Sequence, residues 1–153
     1  MIKIHKGETQ DTRTCDFAKV TKEQLKASSV SHISDVYQGL RHFQELLEER
    51  ARLHDWDKIE NLDGFHSDFT GGFKSTVWRD KHRKINRHHI NMEDGVREDV
   101  NLVDLIEHVV DCVMAGKARA GGYVFDVDLP DELLQKALRN TVEQLKAEVE
   151  VLP

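Results

Sequence analysis

The sequence of 153 residues contains only two cysteines and two prolines, and it has no apolar run near the ~20 residues that a membrane-spanning helix needs. Cys15 and Cys112 are far apart and neither belongs to a CxxC motif, so a disulfide framework is excluded and a reducing compartment fits. The N-terminal stretch MIKIHKGETQ lacks the apolar core of a signal peptide. We therefore expect a cytoplasmic protein with no membrane partner.

The chain as a whole also lacks an excess of positive charge. The formal net charge is −6, whereas a general nucleic-acid binder needs a basic surface to contact phosphates. One stretch differs from this average. Residues 79–89, RDKHRKINRHH, contain five Lys or Arg and one Asp, a local balance of 5 − 1 = +4. This basic stretch is either a solvated helix face or a surface that attracts a phosphate-bearing substrate.

Several stretches of the sequence show residue spacings that are typical of helices. Thr21 and Gln24 have the spacing of a capping box and predict the start of a short helix. A second helix follows, with Gly39 as the point where it bends or divides. Its apolar residues recur at intervals of three and four, which is helical periodicity: Ile33, Val36, Leu40, Phe43, Leu46 and Leu47.

Three more helices are predicted further along the chain. Residues 78–89 form the basic helix, and residues 102–115 form a strongly apolar one that ends near Gly116. Asp128 and Pro130 predict the start of the last helix. One face of that helix carries an apolar stripe made of Leu133, Leu134, Ala137, Leu138, Val142, Leu145 and Val149.

The segments between these helices are predicted to be irregular or extended. The alternating residues 1–7 indicate a short strand or extended arm. Three glycines predict a loop over residues 59–76, and residues 118–130 form a connection that contains one short strand.

These elements predict an all-α fold, a compact helical bundle with a short N-terminal arm and an amphipathic C-terminal helix. The chain shows no internal repeat and no regular alternation of strands with helices. Its length fits one domain. Within it we assign residues 1–27 to the arm and a short helix, residues 28–120 to a core that carries the chemistry, and residues 128–150 to the last helix.

The chain has nine histidines, and several of them share the core with carboxylates. Asp111 lies in the apolar run LIEHVVDCVMAG, where a buried carboxylate is costly unless a charged partner such as a metal compensates it. Glu107 is four residues earlier, so both can point from one side of the helix. Mixed imidazole and carboxylate ligands suit Mn, Fe, Zn, Ni or Co. The candidate ligands are His32, His54, Asp55, His82, His88, His89 and Asp111.

The order of these residues resembles the HD-domain superfamily of metal-dependent phosphohydrolases. HDWDK at 54–58 has the HDxxK form, RHHINMEDG at 87–95 is similar to the paired histidines of the cyclic-dinucleotide phosphodiesterase branch, and LIEHVVDCVMAGKA is similar to the helix that carries the last aspartate. The Gly-Tyr-Pro signature of that branch is absent, and His82 and His88 lie closer together than they do there. Cleavage of cyclic dinucleotides is therefore not expected.

Residues 28–120 resemble more closely a family of unknown function that is common in phages and bacteria. The family pattern has the form HDxSKF, then W..H, N.HH, E, D and GKA. In this chain the matching positions are His54, Asp55, Lys58, Trp78, His82, Asn86, His88, His89, Glu107, Asp111 and the AGKA of residues 115–118.

The resemblance implies a helical HD-domain core and a hydrolase that uses one or two divalent metal ions. It implies a first ion bound by His32, His54, Asp55 and Asp111. Asp55 would bridge to a second ion held by His82 and by His88 or His89. The first ion would lower the pKa of a bound water toward 7.

The remaining roles concern charge and orientation. Lys58 and Arg87 would neutralise charge on the phosphoryl oxygens, and Glu107 would orient a ligand histidine. An ion pair with Asp57 or Glu60 is the structural alternative for Lys58. The substrate would be small, a nucleotide or a phosphomonoester, because the basic helix has no aromatic ladder for a polymer.

Two other functions fit the same residues. Some HD-domain proteins with this ligand order hold two irons and activate dioxygen, so an oxygenase is the second interpretation. A protein that is stabilised by metal and has no catalytic activity is the third, with the amphipathic last helix binding a partner. That helix would also serve a homodimer, although packing into the core is the more common explanation of such an apolar stripe.

Overall fold

A computed structural model describes residues 1–7, 18–75, 77–90, 95–119, 121, 127 and 129–153. The described residues are mainly helical, which confirms the all-α class. Among them, no helix is both long and apolar enough to cross a bilayer. The elements are β1 (Ile2–His5), α1 (Lys22–Leu53), α2 (Trp56–Glu60), α3 (Leu62–Thr70), α4 (Val77–Ile85), α5 (Leu102–Arg119), α6 (Asp131–Glu148) and β2 (Val149–Leu152).

The chain divides into two compact units. The first contains Met1–Glu45 with Glu143–Pro153, and the second contains Leu46–Val142. These boundaries differ from the predicted ones, because residues 28–45 group with the N-terminal arm and not with the rest of the predicted core. The assignment of one domain stays a prediction.

In the first unit, the predicted N-terminal strand is confirmed and acquires a partner. β1 pairs in parallel with β2, with Ile2 opposite Val149 and His5 opposite Leu152. The Ile2 side chain is buried. The last helix had been expected to continue to residue 150, but it ends at Glu148 and the chain becomes extended. The sequence VEVL alternates and contains two valines, which favour a strand.

The two helices predicted between residues 21 and 53 are one continuous helix, α1. The capping box at its start is confirmed, since the Thr21 N–H donates to Gln24 Oε1 at 2.9 Å and the Gln24 N–H donates to Thr21 Oγ1 at 3.2 Å. Gly39 lies inside the helix and neither ends nor divides it. The apolar positions Ile33 and Leu40 are exposed.

In the second unit, the glycine-rich stretch predicted to be a loop contains the end of α2 and all of α3. Asn61 caps α3, because its side-chain oxygen accepts from the Gly64 N–H at 3.2 Å. Phe65 on α3 packs against Trp78 of α4 with ring centroids 4.6 Å apart. Tertiary packing of this kind overrides the low helix propensity of glycine. α2 begins within the HDWDK stretch, and α3 follows it directly.

The basic helix is shorter than predicted and the apolar helix is longer. α4 ends at Ile85, so His88 and His89 follow it in a turn, whereas α5 continues to Arg119 with Gly116 buried inside it. The last helix begins at Asp131, just after Pro130 and three residues later than the predicted start at residue 128. The short strand expected within residues 118–130 falls largely outside the described residues.

A small apolar core joins the turn after α4 to α5 and α6 in the second unit. It contains Ile90, Val100, Leu105, Leu133 and Ala137. Polar side chains of α6 reinforce it. The Thr141 hydroxyl accepts from the Leu102 N–H at 2.9 Å, and Asn140 Nδ2 donates to the Val100 carbonyl at 2.8 Å. The start of α5 and the histidine turn are therefore held by one cluster.

Candidate metal centre

The HDxxK segment begins where α1 ends. The His54 N–H still donates to the Arg50 carbonyl at 2.8 Å, but Asp55 adopts the left-handed conformation, with φ 54° and ψ 16°. Residues other than glycine rarely adopt this left-handed conformation, but aspartate is one of the residue types that tolerate it. The chain then re-enters a helix at Trp56. This reversal gives His54 and Asp55 different directions while keeping them adjacent.

Four candidate ligands converge on the Asp55 carboxylate and its neighbours. Asp55, His82, His88 and His89 each offer one ligand atom to a group in which all these atoms lie within 4.8 Å of one another. Asp55 Oδ1 lies 3.4 Å from His82 Nε2 and 3.6 Å from His88 Nε2. His89 Nε2 lies 2.8 Å from His82 Nε2. The side chains of His82 and His88 are buried.

A second group shares one histidine with the first. It contains His54, His88 and Asp111, again with one ligand atom from each residue within 4.8 Å of the others. His54 Nε2 lies 3.5 Å from Asp111 Oδ1 and 3.6 Å from Asp55 Oδ2. His88 Nε2 lies 4.0 Å from Asp111 Oδ2. The turn after α1, the turn after α4, and α5 each contribute one residue to this group.

The two groups fit a transition metal in donor type and in spacing. Two ligand atoms that each lie about 2.1 Å from one ion at a tetrahedral angle are about 3.4 Å apart, close to the separations around Asp55. Asp55 Oδ1 is buried and makes no hydrogen bond to any described residue. An anionic oxygen in this state is costly unless a cation compensates it. These residues could therefore hold one or two metal ions.

Glu107 lies behind two of the histidines, as the resemblance implied. Its Oε1 is 3.0 Å from His54 Nδ1 and 3.1 Å from His88 Nδ1, so it accepts from both rings and directs both Nε2 atoms toward the aspartates. Burial alone would raise the pKa of Glu107, but the hydrogen bonds from His54 and His88 lower it to about 2. Glu107 is therefore ionised and holds a proton on Nδ1 of both rings.

The surroundings of His54 and His89 shift the pKa values of these two histidines in opposite directions. Hydrogen bonds to Asp111 and then to Glu107 raise the pKa of His54 to about 10 in the metal-free protein. Burial, followed by the charges of His88 and His82, lowers the pKa of His89 to about 3. His89 is thus neutral and ready to act as a ligand, whereas His54 must lose a proton first.

Two residues of the site were not identified as such from the sequence. Asp57 accepts from His82 Nδ1 at 2.9 Å, and Asn86 Nδ2 donates to Asp57 Oδ1 at 2.8 Å. Asn86 appeared in the sequence pattern without a role. Asp57 was considered only as a partner for Lys58. The i, i+4 spacing from His82 to Asn86 was the available signal.

Lys58 pairs with the ligand Asp55 and not with Asp57 or Glu60. Its ammonium donates to Asp55 Oδ2, and the side chain is 34% exposed. It also lies 5.9 Å from the ring centroid of Phe65. The predicted cation is therefore present beside the candidate metal ligands, in contact with an oxygen of Asp55.

The guanidinium of Arg87 is held by hydrogen bonds to two aspartates. Its Nε and Nη2 donate to the two oxygens of Asp104, both at 2.7 Å, and its Nη1 donates to Asp99 at 2.7 Å. Asp104 is fully buried. Because both edges of the guanidinium are engaged, Arg87 contributes to the fold, and its predicted contact with a phosphoryl group finds no support here. Lys81 and Lys84 of the same basic stretch are exposed.

His32 is not brought into either group of candidate ligands. It is an exposed residue of α1 in the first unit, about six helical turns before that helix ends. The predicted division at Gly39 would have put His32 and His54 on separate helices, with a turn of the chain between them. The continuous helix removes that turn.

Comparisons with family models, with curated proteins and with solved structures gave no match for this chain. The resemblance to the HD-domain superfamily therefore stays a prediction, and the functional argument depends on the geometry of the site.

Proposed function

We propose that this chain is a metal-dependent phosphohydrolase that acts on a small phosphorylated substrate, a nucleotide or a phosphomonoester. The observation that carries the proposal is the Asp55 carboxylate. One of its oxygens is buried, accepts no hydrogen bond from any residue that the structure describes, and faces two imidazole nitrogens at 3.4 and 3.6 Å. The ligand set favours Mn, Fe, Zn, Ni or Co over Ca or Mg.

The residues divide naturally between two ions. His54, Asp55 and Asp111 would hold one ion, and Asp55, His82 and His89 would hold the other. His88 Nε2 faces both aspartates, but one nitrogen can serve only one ion. When bound, the ions would supply Lewis-acid polarisation of a phosphoryl oxygen and a water of lowered pKa.

The other side chains of the site orient these ligands and neutralise charge. Glu107 holds the rings of His54 and His88 with their Nε2 atoms toward the centre. The Lys58 ammonium is positioned beside Asp55 and is partly exposed, so a phosphate oxygen could reach it. Its charge would offset the negative charge that develops on the transferred phosphoryl group.

The test is turnover on a panel of phosphomonoesters and nucleotides, with each of the five metals added to metal-free protein. Wild type should hydrolyse at least one substrate, and Asp55→Ala should lose both metal and activity. Asp63→Ala is the matched control, because Asp63 is an exposed aspartate outside the site. Oxygen consumption without phosphate release would favour the oxygenase, and bound metal with neither activity would favour an interaction protein.

We also propose that a second copy of the chain covers the exposed stripe of α6. Leu134, Leu138 and Val142 recur every four residues and are 40%, 46% and 42% exposed, and such a stripe can pair with itself about a two-fold axis. Light scattering should give twice the monomer mass, 35.2 kDa from 2 × 17.6 kDa. Leu138→Lys should restore the monomer. A monomeric wild type would refute this part.

We also propose that the protein is located in the cytoplasm. Cys112 is a free thiol in the structure, as reducing conditions would keep it.

A further inference from the structure

The carboxylate of Asp57 lies against the back of one candidate ligand, His82. Its two oxygens are 3.0 and 2.9 Å from His82 Nδ1, on the opposite side of the ring from the nitrogen that faces Asp55. Both side chains are largely buried, with 14% of Asp57 and 6% of His82 exposed. The Trp78 ring stacks on the imidazole at 4.7 Å with an angle of 15° between the planes. The ring therefore has a fixed plane and a fixed partner.

Asn86 ties this carboxylate to the backbone of Asp55. Asn86 Nδ2 donates to Asp57 Oδ1 at 2.8 Å and to the His82 carbonyl at 3.1 Å, while Asn86 Oδ1 accepts from the Asp55 N–H at 3.2 Å. That N–H belongs to the residue in the left-handed conformation. One buried amide thus connects the turn that directs the Asp55 carboxylate with the carboxylate that holds His82.

We infer that Asp57 and Asn86 are positioning residues for the metal centre, acting through His82 and Asp55. Asp57 keeps the proton of His82 on Nδ1, so the lone pair of Nε2 faces the ligand group. Asn86 aims Asp57 at that nitrogen and stabilises the strained turn at Asp55. The role in metal binding rests on the proposed metal centre, whereas the choice of tautomer does not.

The contact between His82 and His89 is compatible with this assignment of protons. Their Nε2 atoms are 2.8 Å apart, so without metal one of them must donate and the other accept. If Asp57 holds the proton of His82 on Nδ1, a neutral His82 accepts and His89 donates. A carboxylate behind a ligand histidine also makes the ring more basic, and losing such a partner typically weakens metal binding by 10- to 100-fold.

The first experiment reads the tautomer directly. Long-range proton–nitrogen correlation spectra of ¹⁵N-histidine protein, without metal and at pH 8, distinguish the two ring nitrogens. We expect wild-type His82 to carry its proton on Nδ1, and we expect Asp57→Ala to move a measurable fraction to Nε2. A wild-type His82 protonated on Nε2, or an unchanged tautomer in Asp57→Ala, would overturn the inference.

The second experiment titrates Co²⁺ into metal-free protein and follows heat and visible absorption. Asp57→Asn keeps the shape of the side chain but can place an N–H toward His82, so one Co²⁺ should bind 10- to 100-fold more weakly, with an altered d–d spectrum. Asp63→Asn makes the same change of charge at an exposed position and should match wild type.

These outcomes separate the inference from the proposed function. If wild type binds no Co²⁺, the proposed metal centre fails while the tautomer spectrum still decides the role of Asp57. If wild type binds Co²⁺ and Asp57→Asn binds it equally with the same spectrum, the positioning role fails alone. Asn86→Ala provides a second variant, and it should weaken Co²⁺ binding without removing any ligand atom. Unchanged binding in that variant would count against the role of Asn86.

Discussion

Replacing Arg87 with methionine should destabilise the protein strongly. The change removes two hydrogen bonds of 2.7 Å from Asp104, whose side chain is 0% exposed. Removing one partner of a buried ion pair costs about 3–5 kcal/mol because the remaining charge stays buried. Asp104 would keep the Arg50 guanidinium at 3.5 Å and the Asn101 N–H at 3.0 Å. We therefore expect a loss near the lower limit, about 3 kcal/mol.

The assay is urea unfolding followed by circular dichroism, with Lys81→Met as the control. Lys81 is exposed on α4, the helix that ends just before Arg87, so its replacement should change the free energy of unfolding by about 0.5 kcal/mol or less. Arg87→Met combined with Asp104→Leu should recover much of the loss, since a buried pair replaced by apolar side chains is often neutral. A loss below about 1 kcal/mol for Arg87→Met, with a raised KM for a phosphorylated substrate, would refute the structural role and favour a substrate contact.

Two further predictions concern the centre itself. Lys58→Met keeps the length of the stem and removes the charge, so metal should stay bound while phosphoester turnover falls by about two orders of magnitude; wild-type turnover in this variant would contradict the role of Lys58. The raised pKa of His54, about 10 against 6.5 in the unfolded chain, stabilises the metal-free fold below pH 6.5, and that contribution is lost as the pH rises through 10. Metal must displace this proton, so calorimetry at pH 8 in buffers of different ionisation enthalpy should show at least one proton released per chain, and no release would show that His54 is not a ligand.

The residue types of the site were predictable from the sequence, but their arrangement was only partly so. His54, Asp55, His82, His88, His89 and Asp111 are brought together as expected, and Glu107 has the predicted contact with ligand histidines. The spacing argument for His82 and His89 assumed a helix through residue 89. The helix ends at Ile85, and the histidines meet because the following turn packs against α5. Such tertiary contacts leave no periodic signal.

The departures elsewhere have physical causes of the same kind. Glycines suggested a break at Gly39 and a loop around Gly64, but each costs a helix only about 1 kcal/mol, which neighbouring residues can offset. The pairing of β1 with β2 joins the two ends of the described chain, and no local pattern encodes a partner so distant in sequence. Arg87 was predicted to serve the substrate because its charge was visible and its buried partner Asp104 was not.

The most direct test of the account is anomalous diffraction at the absorption edge of whichever metal copurifies with the protein. We expect one or two peaks within about 2.0–2.3 Å of the Asp55 carboxylate and the surrounding Nε2 atoms, and we expect these peaks to disappear in Asp55→Ala. A strong peak at His32 or elsewhere, with none beside Asp55, would contradict it.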